Sequence, residues 1–465
     1  MVEENMARNR MMDAWIGQEP EIPDSAISEV IHTDVLICGF GHAGMVGALV
    51  ASEQGEKVVV LEKGTHPGYF KTYLGAVGSK AQKAAGKAGE IDKEEIVDEL
   101  LHYGTRYTDE LNVYKPEITR SKYQGANPVK EELLWVWANE SGESIDFIAK
   151  ELEPYGYKNV LETDNPEDMR HGMFKVFPVH NKLVPPASAG VMGRVHGSLF
   201  CAEKAIEKAC KKYGVNIMYE TPMVKLVQEN GRVTGAIACR KDGSYIKVLA
   251  SKGVLMATGG YADDDEALRD FNPEATSITT FSYVGPGNKG DGLKAASWVG
   301  ADRDKYPSAM LFDRGATKPG GKAGLPFTRG LGPDAFHFAS NPFLKVDMDG
   351  KRFCNEMVPY DFILMPLQDK KNGVEVVLWD RQYWKNVKAF HNVGCSRTMA
   401  SKARPRTWEG VTHPVTIGFF LIQALKGNLK MAWSIEGLAK KLKLPVEETK
   451  KTVERYNQMA NQGKD

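Results

Sequence analysis

The chain has 465 residues, enough for two or three domains with large cores. Its 60 basic and 60 acidic side chains cancel, which argues against a nucleic-acid or anionic-membrane partner. The sequence has no apolar run of about 18 residues, a polar start without a secretory core, and 6 scattered cysteines without ligand or redox spacing. The expectation is therefore a cytoplasmic protein with reduced thiols and no metal, iron–sulfur cluster, c-type haem or membrane span.

Residues 1–32 read as an N-terminal extension, with turns at Pro20, Pro23 and Asp24 and with Trp15 placed to dock on the main body. From Thr33 an apolar strand runs into Gly39-Phe-Gly41-His-Ala-Gly44, a small-residue helix follows, and a second apolar strand ends in Glu62. Each part has a physical job in a dinucleotide-binding βαβ unit. Gly39 permits the tight turn, Gly41 lets the backbone approach a pyrophosphate, and Gly44 lets the helix pack closely on the strand. The helix N-terminus offers free N–H groups and a positive dipole end to the phosphates. Glu62 can accept the hydroxyl hydrogens of a ribose.

Residues 64–89 read as a loop reaching back towards the cofactor. Helices are expected at Glu132–Trp137 and Ile145–Leu152, with irregular chain over 154–196. Residues 199–213 place Ala202, Ala205, Ile206, Ala209 and Cys210 on one helical face, and Gly214 stops the helix. A strand at Val215–Tyr219 precedes a meander of Met223–Val227, Val233–Cys239 and Tyr245–Leu249, turned by Asn230-Gly231 and Asp242-Gly243. A buried strand, Gly253–Ala257, ends in Thr258-Gly259-Gly260. The stretch 285–332 reads mostly as loops, and residues 433–462 as two helices joined near Leu444-Pro445.

These segments resemble the fumarate reductase/succinate dehydrogenase flavoprotein superfamily, which includes urocanate reductases and 3-ketosteroid dehydrogenases. The resemblance rests on Gly39 to Gly44 with Glu62, the hairpin Asn230 to Ala236, and Val254 to Tyr261. It also covers Gly290-Asp291-Gly292 with Gly300-Ala301-Asp302, and Asp349 to Glu356. It implies an α/β fold: a Rossmann-like FAD-binding domain with a central parallel sheet and a β-meander, plus an inserted α+β capping domain. The expected boundaries are 33–302 for the FAD domain and 303–465 for the cap.

The same resemblance implies non-covalent FAD. It assigns cofactor contacts to Gly39, Gly41, His42, Ala43, Gly44, Glu62, Lys63, Phe70, Lys71, Gly75, Ala76, Val224, Ala257, Thr258, Gly259 and Asp291. Many members read Gly-Gly-Asn/Ser after the ribose-binding acid. Here the loop is Gly68-Tyr69-Phe70-Lys71-Thr72, a departure that bears on the flavin-edge contacts. Family members also continue into a further segment that closes the FAD domain. The sequence stops at Asp465 before any of it, so the expectation is either a fragment or a fold completed by a separate polypeptide, with weak isolated FAD binding.

The substrate question turns on Tyr360. Fumarate and urocanate reductases carry a proton-donating arginine at this place, four residues after the Asn355-Glu356 pair, and a carboxylate-binding histidine near the position of Phe312. 3-Ketosteroid dehydrogenases carry a tyrosine after a similar motif. Tyr360 is therefore the candidate acid/base for hydride exchange across an activated C=C or CH–CH bond of an enone-like substrate, a ketosteroid or polyphenol. The bland alternative is a cap-packing tyrosine bonded to a backbone carbonyl. Two runner-up functions stay open: an enoate reductase using another arginine, Arg314 or Arg329, and a non-catalytic flavoprotein subunit needing a partner. Arg352 is expected to hold the cap through Glu356, while His196 and His413 are weaker pocket candidates. With no second GxGxxG, haem or cluster motif, electrons are expected from a separate donor.

Overall fold

The computed structural model describes residues 15–104, 131–161, 177–189, 201–282, 287–302, 309–326, 336–356, 360–383 and 409–463, with a few residues between them. Strand β1 (Ile27–Cys38) enters helix α1 (His42–Glu53), and β2 (Val58–Leu61) returns beside it. β3 (Tyr73–Gly75) begins a small sheet completed by β4 (Lys158–Leu161) and β5 (His180–Val184), in the order β3-β5-β4. Between them runs α2 (Glu131–Leu152), and after them α3 (Ala202–Lys212) and β6 (Asn216–Met218). The meander is β7 (Met223–Glu229), β8 (Arg232–Cys239) and β9 (Tyr245–Met256). The main sheet has six strands in the order β6-β2-β1-β9-β8-β7, parallel from β6 to β9 and antiparallel through the meander.

Strand alternation divides the core between the two faces of this sheet. Ile37, Val58 and Val60 face α1, α2 and α3, packing with Met45, Leu49, Ile148, Leu152 and Ile206. Leu36, Cys38, Val59 and Leu61 face the meander residues Leu226, Ala236 and Val248, together with Ala295 of α4 (Asp291–Trp298). The α/β architecture with a largely parallel central sheet agrees with the sequence reading.

Four expectations change. Residues 27–32, assigned to the extension, continue β1 because Ile27 pairs with Tyr245 and, after a register shift, Glu29 to His32 pair with Ile246 to Leu249. The two strands expected at 245–249 and 253–257 are one strand, β9, whose register shifts by one residue opposite Asp34. The two helices expected within 132–152 are the single helix α2. The region 154–196 is less irregular than its Pro and Gly content suggested, since it supplies β4 and β5. Trp15 is buried against Tyr261 and Phe271, docked as anticipated.

Later in the chain a second body of separate apolar clusters forms, one of which takes in Ile278. β10 (Leu344–Val346) pairs antiparallel with β11 (Val376–Leu378), and α5 (Tyr360–Leu364) lies between them in sequence. α6 (Ile435–Leu442) and α7 (Val446–Asn461) pack on this ribbon through Ala439 and Leu444. Phe336, Phe338 and Phe343 form an aromatic core with Trp379, Tyr383 and Phe420. Among the described residues no helix is long and apolar enough to cross a membrane.

Candidate functional site

The glycine turn closes as its chemistry demands. Gly39 has φ of 101°, and a Cβ there would lie 2.3 Å from the Ala257 carbonyl oxygen. A Cβ at Gly44 would lie 2.0 Å from the Gly39 carbonyl oxygen, so α1 rests directly on the turn. Gly41 differs: a Cβ there would meet nothing within 4 Å, so the backbone faces open space. Ala43 is exposed beside it. The first turn of α1 carries no acidic residue and no side-chain cap, which leaves its N–H groups and dipole for an external anion.

Glu62 is held at the end of β2. Its carboxylate accepts from Phe40 N at 2.7 Å and from Gly64 N at 2.6 Å. Thr221 N donates to the Glu62 carbonyl at 2.9 Å, which brings the start of β7, with Val224, alongside the acid. Ala257 N donates to Cys38 O, setting Ala257-Thr258-Gly259 next to the turn. Lys63 pairs with Asp291 at 2.7 Å and also donates to the Gly287 carbonyl, so two expected cofactor residues meet across the site.

The loop after Glu62 does fold back. Gly68 N donates to Phe40 O at 2.9 Å. The Phe70 ring is buried and stacks on His42, with centroids 4.0 Å apart. Burial, assisted by Lys71, holds the His42 imidazole below its ordinary pKa, and its Nδ1 is buried without a hydrogen-bond partner among the described residues. Ala76 lies in the core with its N–H given to Val179 O and its carbonyl taken by the Gln82 amide. Gly75 accepts from Trp137 Nε1 at 2.9 Å. Phe70 and Ala76 thus contribute packing around the turn, while Lys71 and Tyr69 are exposed and line a cleft.

This cleft, about 2630 Å³, runs from the glycine-turn side to the second body. Its lining includes Tyr69, Lys71 and Tyr261 from the earlier part of the chain and Phe312, Asp313, Arg314, Glu375, Trp379 and Phe420 from the later part. Tyr360, the first residue of α5, is half-buried and stands just behind this wall. Its ring meets that of Phe312 edge-on, 5.6 Å between centroids, and the Arg314 guanidinium carbon lies 5.9 Å from its centroid and 4.2 Å from that of Phe312. Arg329 is elsewhere, between Asp263 and Asp265. Arg352 pairs with Glu356 as expected, at 2.5 Å for the shorter contact, and Glu356 also accepts from Lys345 N. His196 and the side chain of His413 lie outside the described residues.

A buried ionic cluster in the same wall escaped the sequence reading. Lys345 Nζ lies 2.6 Å from Asp313, 3.2 Å from Glu375 and 2.8 Å from the Ala339 carbonyl. The side chains of Lys345 and Asp313 are each 1% exposed. The one available signal was a lysine between Leu344 and Val346, at a strand position flanked by core residues.

The residues around the turn fit a flavin dinucleotide: an open approach at Gly41, an uncapped helix end and an anchored acid. The sequence profile of the FAD binding domain family matches residues 34–87 and 69–463. Vinyl phenol reductase of Lactiplantibacillus plantarum is 24% identical, covering 93% of this chain and 77% of its own length. A probable fumarate reductase of Shewanella frigidimarina, Ifc3, is also 24% identical, over 93% of this chain and 60% of the relative. The crystal structure of 3-ketosteroid delta1-dehydrogenase from Sterolibacterium denitrificans shares the fold, with a TM-score of 0.61, 19% identity, and coverage of 93% of this chain and 80% of that one. With a family profile spanning nearly all of the sequence and a glycine turn built to receive the dinucleotide, the chain belongs to the FAD binding domain family.

Proposed function

We propose that this FAD-dependent oxidoreductase reduces, or in reverse forms, an activated C=C bond in an enone-like substrate held in the cleft, with Tyr360 moving the proton. The observation that carries the reading is the contact of Tyr360 with Phe312 and Arg314, which line the same cleft as Tyr69 and Lys71. Bound FAD supplies or accepts the hydride at one carbon of the bond. The Tyr360 hydroxyl gives a proton to the other carbon, or takes one, so that two C–H bonds replace the π bond. Tyr69, Tyr261, Phe312, Trp379 and Phe420 offer flat apolar surface for a conjugated or ring-bearing substrate. Phe312 both lines the cleft and covers Tyr360, so the reading includes a rotamer change of Phe312 on substrate entry. Gly39, Gly41, Gly44 and Glu62 hold the ADP half, and Lys71 stands at the cleft edge. Electrons come from a separate donor.

A second reading is supported by Arg314. A guanidinium in the wall suits a conjugated carboxylate, so an enoate is the alternative substrate class. Tyr360→Phe tests the main reading. Turnover with a panel of enones and enoates is expected to fall about 10²- to 10⁴-fold with flavin content unchanged. Turnover near wild type removes Tyr360 from the proton step.

A further inference from the structure

Lys345 meets Asp313 and Glu375 in the wall near Tyr360, and Arg314, next to Asp313 in the chain, lines the same cleft. Lys345 and Asp313 are buried outright, and Asp313 and Glu375 reach the cleft lining. Asp313 sits between the two residues that touch the Tyr360 ring. Its segment is pinned on both flanks, by Ser340 Oγ donating to the Asp313 carbonyl at 2.9 Å and by Phe336 N donating to the Arg314 carbonyl at 2.6 Å. We propose that the Asp313–Lys345–Glu375 cluster is a specificity switch in the substrate cleft. One proton on it decides whether the cleft lining carries one more positive charge and grips an anionic substrate, or one fewer and takes a neutral one. The proposal rests on the cleft being the substrate site.

The charge count gives the mechanism. With both carboxylates ionised, the four side chains sum to zero. With Asp313 protonated they sum to one positive charge, expressed through Arg314 at the cleft. Lys345 already serves three acceptors, so it cannot fully compensate two carboxylates in a dry site. The other groups facing the cluster are Ser340, Cys354 and Glu356, the last neutralised by Arg352. Burial, opposed by Lys345 and reinforced by Glu375, pushes the Asp313 carboxyl up to about 7, so the switch lies in the physiological range. Burial raises Glu375 as well.

The test uses the oxidised holoenzyme and two probes of one shape, cinnamate and cinnamamide, which differ in the carboxylate charge. Binding is read from the perturbed flavin spectrum below and above neutrality. Cinnamate affinity is expected to drop about tenfold as pH rises through the switch, with cinnamamide unchanged. Asp313→Asn keeps the extra positive charge at every pH, and Glu375→Gln leaves Lys345 to Asp313 alone, which then stays ionised, so in both cinnamate binds tightly throughout and the slope disappears. A slope retained in both variants, or shared by the amide, overturns the proposal. If neither probe perturbs wild-type flavin, the cleft reading itself fails. The cluster is then judged by infrared titration of the holoenzyme. A protonated-carboxyl band that titrates near neutrality and is absent in Asp313→Asn sustains the proton-holding role, and no such band overturns it.

Discussion

Three glycines of one turn do different work, and the geometry separates them. Gly44 is required by the apoprotein itself, because a methyl there would press on the Gly39 carbonyl. Gly41 is not required by the apoprotein, because a methyl there meets no protein atom within 4 Å. Gly44→Ala is therefore expected to destabilise the apoprotein by about 3 kcal/mol, as overpacking does. Gly41→Ala should leave the apoprotein melt within about 0.5 kcal/mol of wild type yet weaken FAD binding at least about tenfold. Urea melts of apoprotein and flavin titrations distinguish the two, and equal effects on both readouts would refute this division. The tight turn at Gly39 and the close packing at Gly44 were legible because each follows from backbone chemistry at fixed spacing. The interaction of Lys63 with Asp291 was not, because it joins residues 228 positions apart.

At the scale of elements, burial governs where strands and helices end. Ser251 and Lys252 look like a break in the sequence, yet β9 passes through them by a bulge, keeping Ala250 and Val254 in register with β1. Glu140 to Gly142 look like a gap between two helices. Gly142 is instead a contact point inside α2, where a Cβ would meet the Val77 carbonyl at 2.3 Å. In the second body, the Arg352–Glu356 pair ties the chain leaving β10, and Arg352 also lies over Tyr456 of α7, 5.2 Å from its centroid. Glu356 is buried, so Arg352→Ala leaves its carboxylate uncompensated and is expected to cost about 3–5 kcal/mol in a chemical melt. A loss below about 1 kcal/mol would assign the pair to the weak surface class.

For the whole molecule, the buried carboxylates make stability depend on pH. Asp313 has an ordinary value of 3.8 and is held up to about 7 in the fold. Between those values the folded chain binds the proton that the unfolded chain has released, so raising pH favours unfolding. The Asp313 contribution is thus complete below about 4, declines through the window and is constant above about 7. Thermal melts across this range should show that decline in wild type and a shallower one in Asp313→Asn. An unchanged slope in the variant would place the buried proton elsewhere. Trp15 acts at the same scale: its indole fills the space between Tyr261 and Phe271, so Trp15→Ala is expected to cost about 3 kcal/mol.

The sequence by itself determined the parts whose chemistry is local. The glycine turn with its acid, the strand alternation, the hairpin turns and the α3 stripe all follow from spacing within a few residues, and these suffice for an α/β FAD domain. Tertiary structure alone decided how separated segments share a cleft. It set Tyr360 behind Phe312 and Arg314, sent Arg329 to Asp263 and Asp265 instead, and buried Lys345 between Asp313 and Glu375. The physical reason is that a charge in a low-dielectric wall is defined by its neighbours in space, and no periodicity along the chain records which distant carboxylate will share its ammonium.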